Sequence, residues 1–173
     1  MTDLIAGNIF SFLSALFIAV SVIKKNKRGL IGWQIVDVVC CILSNIFLAA
    51  YAALTTNSVA LIRNVLAYKN ANGKKITFVL TVLCVIAGLY ANNRGVIGLL
   101  PIVASASYTV MMYTTKNENQ MRLALVSNLL LWMVHDFYVQ AYPSAFTDAA
   151  LSGWTVFQII RNRAPLSMAG EKS

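Results

Sequence analysis

Charge is scarce in this chain. Of its 173 residues, 14 are Lys or Arg and six are Asp or Glu, 12% in all, whereas a soluble domain carries about 25%. So little charge excludes an ordinary water-soluble fold. Histidine occurs once, at His135, which excludes a multi-histidine metal site within one chain. The three cysteines, Cys40, Cys41 and Cys84, all lie in apolar runs without metal-ligand spacing, and read as small buried hydrophobes. No glycine-rich phosphate loop, nucleophile elbow or HExxH pattern occurs, so neither enzymatic activity nor a cofactor is expected. A net charge of +8 could suggest nucleic acid. The basic residues fall between apolar segments, however, and no nucleic-acid-binding motif accompanies them, so no such partner is expected.

What is present is oil. Hydrophobic residues make up 58% of the chain and its mean hydropathy is +0.69. Crossing a bilayer takes about 20 apolar residues in a helix. Suitable runs are Leu4–Ile23, Leu30–Leu54, Ile76–Ala91, Val96–Thr114 and Met121–Val139, with weaker ones at Thr56–Tyr68 and Ser144–Ile160. Only Asp3 precedes the first run, with no Lys or Arg, unlike the basic start of a secretory signal, so that run is expected to stay as a span. Basic residues then test the count. With seven spans and the N-terminus outside, twelve fall on the cytoplasmic side: Lys24, Lys25, Lys27, Arg28, Lys69, Lys74, Lys75, Lys116, Arg122, Arg161, Arg163 and Lys172. Arg94 alone falls outside, and Arg63 lies within a span. That asymmetry obeys the positive-inside rule. Six spans would break it.

An internal repeat is visible at an offset of about 91 residues: Gly7 matches Gly98, Ser14 matches Ser105 and Lys25 matches Lys116. One residue less pairs Asn45 with His135 and Phe47 with Phe137. In the last span of each half, Asn57, Leu61, Asn64 and Tyr68 fall opposite Asp148, Ser152, Thr155 and Ile159. The expected fold is therefore all-α and polytopic: two parallel three-helix repeats, residues 1–70 and 95–163, joined by a linker helix within 71–94 and followed by a cytoplasmic tail, 164–173. Such parallel repeats recur in small-solute transporters.

Four short segments, ALIRNVL (Ala60–Leu66), GLLPIVAS (Gly98–Ser105), WMVHDFYV (Trp132–Val139) and QIIRNR (Gln158–Arg163), resemble the YgjV-type family of bacterial inner-membrane proteins. The resemblance covers most of the chain and implies the bacterial inner membrane as its location. That family is similar in layout to SWEET and PQ-loop transporters, although this chain has no Pro-Gln pair, and Pro101 faces Phe10 in the first half.

Polar residues recur at helical spacing inside the oil. Gln34, Asp37, Cys41, Ser44 and Asn45 form one stripe, and Asn128, Trp132, His135 and Asp136 another; Gly7, Ser11 and Ser14, then Pro101, Ser105 and Tyr108, add two more. Facing lipid, each unsatisfied group would cost several kcal/mol, so these stripes must turn inward. There they either glue helices together or line a path. Asn45, Asn64, Trp132 and His135 are the pocket candidates, with Asp136 and Asp148 as binders of solute or proton. Asp37 and Arg63, about 10–12 Å from the same boundary by the helical rise, are expected to form a buried ion pair that clamps or gates two spans. Pro101 is expected to bend the fifth span. The function expected is movement of a small polar solute across the bilayer by alternating access, or else a non-transporting scaffold; a second copy of the chain is an admissible partner.

Overall fold

In the computed structural model, which describes residues 2–23, 27–69, 71, 73–114 and 118–163, seven α-helices and no strand are found. They are α1 (Thr2–Ile23), α2 (Lys27–Phe47), α3 (Tyr51–Tyr68), α4 (Lys74–Tyr90), α5 (Gly95–Thr114), α6 (Glu118–Tyr138) and α7 (Tyr142–Arg163). Lys24, Lys25, Lys116, Lys172 and the tail 164–173 lie outside the described residues. By length and composition one helix is apolar enough to cross a membrane, at Thr2–Ser21, with a mean hydropathy of 2.0; Ile31–Phe47 and Gly95–Met111 are shorter apolar stretches.

The run expected to be continuous from Leu30 to Leu54 is two helices. Its break falls at Leu48–Ala50, where no glycine, proline or charge marks it. Ala49 takes a left-handed φ of 51°. The Ala50 N–H bonds back to the Asn45 carbonyl at 3.0 Å and the Ala49 N–H to that of Ile46 at 3.2 Å. This is the backbone closure of a Schellman motif, normally given to glycine. The same device joins α6 to α7. Gln140 has φ 67°, and the Ala141 and Gln140 N–H groups bond to Asp136 and Phe137 at 2.8 and 3.3 Å.

Each turn is held from outside by an asparagine at the start of a distant helix. Asn93, just before α5, donates its amide to the Ala49 carbonyl at 2.8 Å, and Asn8 of α1 donates to that of Gln140 at 2.9 Å. Arg94 adds a bond to the Leu48 carbonyl at 2.7 Å. These contacts set the start of α3 beside that of α5, and the start of α1 beside that of α7. On either side of α4 the helices form two triplets, α1–α3 and α5–α7.

Helices adjacent in sequence pack together, α1 also meets α7, and α3 meets α5. The bundle is a closed ring with α4 laid over the α3–α5 seam. Gly88 permits that approach, since a β-carbon there would lie 2.7 Å from Ile102 and 3.3 Å from Thr56. Gly7 does the same for α1, where a β-carbon would meet Leu48 at 2.7 Å and the Ser44 hydroxyl donates to the Gly7 carbonyl at 2.8 Å.

Polarity is inverted relative to a water-soluble bundle. Ile5, Ile9, Phe12 and Leu16 face out along α1, as do Phe78, Val79, Val82, Leu83 and Ile86 along α4. Buried instead are Ser11, Ser14, Asp37, Ser44, Asn45, Asn64, Ser105, His135 and Asp136. An apolar exterior on this scale suits hydrocarbon, not water.

Candidate functional site

A cavity of about 150 Å³ opens between the two triplets. Water needs about 10–15 Å³ of such space, so the cavity has room for roughly ten non-hydrogen atoms. Its walls come from α1, α2 and α3 on one side and from α6, α7 and their connecting turn on the other. Along α2 it reaches from Asn45 to Asp37, about 12 Å by the helical rise.

Three carboxyls face it: Asp37, Asp136 and Asp148. The Ser14 hydroxyl donates to Asp37 at 2.5 Å, and Ser14 also lies 3.0 Å from the Cys41 sulfur. Asp136 Oδ1 pairs with His135 Nδ1 at 2.9 Å. Consecutive helical residues diverge by about 100°. Accordingly Asp136 lines the cavity, while His135 is 0% exposed and backs it from behind. The histidine ring meets Trp132 edge-on at 5.7 Å between centroids, so the imidazole touches both the carboxyl and the indole. His135 Nε2 is buried with no hydrogen-bond partner among the described residues. Asp148 accepts no hydrogen bond among the described residues.

Of the pocket candidates, Asn45, Trp132, Asp136 and Asp148 line this cavity. His135 does so only through Asp136. Asn64 does not: it is buried elsewhere, its side-chain oxygen 3.4 Å from Arg63 Nε. The ion pair expected between Asp37 and Arg63 does not form. Asp37 turns toward Ser14 of α1. Arg63 turns to α5, where Nη1 donates to the Thr109 hydroxyl at 2.8 Å and the guanidinium lies 5.7 Å from the Tyr108 ring centre. Equal depth fixes only the position along a helix; the direction around its axis sends these two apart. Pro101 is buried within α5, which runs unbroken through it from Gly95 to Thr114.

Asn57, Ser144 and Thr147 also line the cavity and were not among the sequence candidates. Asn57 had a signal, since it falls opposite Asp148 in the repeat. The two left-handed turns lie 91 residues apart at Ala49 and Gln140, and this offset pairs Asn45 with Asp136, where the sequence comparison had paired it with His135.

On the α3–α5 side a second, smaller cavity of about 10 Å³ lies against Arg63, Cys84 and Ser105. A single water would fill it. No group of three or more His, Cys, Asp or Glu able to hold a metal ion exists among the described residues.

Greasy outside and hydrophilic within, the molecule has the build of a helical membrane protein. A family model described as a bacterial inner membrane protein, Imp-YgjV, matches residues 5–164, and the chain belongs to that family. No curated protein and no solved structure matches it.

Proposed function

We propose that the protein spans the bacterial inner membrane seven times and moves a small polar solute between its two triplets by alternating access, without chemistry on the solute. The observation that carries this reading is the polar cavity of about 150 Å³ between them. Sequestered polar groups in a lipid-embedded protein commonly mark a solute pathway, and sites between parallel repeats suit rocking of one half against the other. Two turns of the same construction, 91 residues apart, support a three-one-three repeat. The basic residues support its orientation, with the N-terminus outside and the C-terminus cytoplasmic. In this reading Asp136, Asp148, Asn45 and Trp132 contact solute, and His135 positions Asp136.

Full-length protein in proteoliposomes should accumulate at least one component of a defined mixture of polar metabolites, measured by mass spectrometry against protein-free vesicles. Trp132→Ala should abolish that uptake. Equal contents in both vesicle populations would sink the transport reading. The second reading, a non-transporting scaffold, draws on bonds such as Ser11 to Ser144 at 2.7 Å and Ser44 to Gly7, which join helices directly. It requires Trp132→Ala to alter thermal stability alone.

A further inference from the structure

We infer that the cavity is a site for a small organic cation, an ammonium-bearing solute of up to about ten non-hydrogen atoms. This rests on the solute-moving reading and adds its substrate class. Three carboxyls line the cavity, and among the described residues no Lys or Arg does. An anion entering there would find no Lys or Arg to pair with among the described lining residues. A neutral solute supplies no countercharge to a buried carboxyl, and a carboxylate ionised there without one is costly. A cation offsets it.

A second observation is independent of the carboxyls. Asn45 and Asn57 line the same cavity, 5% and 7% exposed, and neither side-chain amide has a hydrogen-bond partner among the described residues. Nearly all buried amides in folded proteins are satisfied. Two left open on one wall, opposite the unpartnered Asp148, supply acceptor oxygens for an ammonium N–H and donor groups for a hydroxyl on the same solute. Trp132 completes the enclosure with an aromatic surface, which attracts a cation within about 6 Å of its ring centre. An organic cation fits better than a transition-metal ion, since no group of three or more His, Cys, Asp or Glu able to hold a metal exists among the described residues.

The test is a charge series of nearly constant size: ethanolamine, ethylene glycol and glycolate, at matched sodium and ionic strength. Each is added to purified full-length protein while its thermal midpoint is followed, since a ligand that binds the folded state raises the midpoint. Ethanolamine should raise it, and the other two should not. Asp148→Asn, which keeps shape and removes charge, should weaken ethanolamine about tenfold or more, and Asp148→Glu should restore most of the loss. Should Asp148→Asn fail to fold, Asn57→Asp, adding a carboxyl to the facing wall, should tighten ethanolamine several-fold. Equal shifts across the series, a larger shift with glycolate, or no shift with any of the three would overturn the assignment. Uptake of the same compounds into vesicles separates this inference from the reading beneath it. Ethanolamine-selective stabilisation without uptake of any solute defeats transport and leaves the cation site standing. Uptake that favours glycolate defeats the cation site and leaves transport standing.

Discussion

The first helix of each triplet meets the last helix of the other, so the bundle has two seams of the same kind, α1 against α7 and α3 against α5. They are built differently. At α1–α7 the direct side-chain link is a pair of small hydroxyls, Ser11 and Ser144 at 2.7 Å, and the cavity of about 150 Å³ lies alongside. At α3–α5 the link is Arg63 to Thr109, the void is about 10 Å³, and α4 covers the outside. One packing scheme thus yields a roomy contact and a filled one. Side-chain volume and the covering helix decide which. If the halves rock, the filled seam is suited to act as the pivot and the roomy one as the part that yields.

Substitutions at each seam test that contrast. The largest effect is expected from Gly88→Val, which pushes a branched side chain into Ile102 and Thr56 and lifts α4 off its seam. A loss of about 3 kcal/mol is expected for such overpacking, read as a lower unfolding midpoint in detergent. Thr109→Val comes next. It leaves Arg63 Nη1 without its hydroxyl, at a cost of about 2 kcal/mol. Combining it with Arg63→Met should recover part of that cost, because replacing both partners of a buried polar pair is cheaper than removing one. Equal losses in single and double variants would show that the bond does not hold the seam. Ser11→Ala, at the roomy seam, should cost only about 1 kcal/mol, yet should speed alkylation of Cys41 beside the cavity. Unchanged alkylation would mean this seam is no looser than the other. The smallest effect is expected at the turns: Ala49→Gly, which relieves a left-handed alanine, should raise stability by about 0.5 kcal/mol.

The number of helices was legible because the basic residues balance with seven segments and not with six, and the inward stripes were legible because helical spacing is regular. Every stripe residue from Gly7 to Ser14 and from Asp37 to Asn45 is buried or half-buried. What escaped was set by contacts distant in the chain. The Leu48–Ala50 turn carries no local mark because its carbonyls are satisfied by Asn93 and Arg94, more than forty positions away. Asp37 and Arg63 share a depth, but their partners lie on α1 and α5, a matter of rotation about each axis that hydropathy does not encode. His135 was legible as an inward residue and not as one standing behind its neighbour. Which of two adjacent side chains reaches the cavity depends on where α7 packs.

The asparagine bonds across the turns carry one more consequence. Neither half finishes its own hairpin: the Ala49 carbonyl waits for Asn93, and that of Gln140 for Asn8. During synthesis the earlier corner therefore stays incomplete until ribosomes have passed the fourth helix, whereas the later corner finds its donor already made. A gene cut ahead of α4 would yield two polypeptides, each holding the fastener for the other.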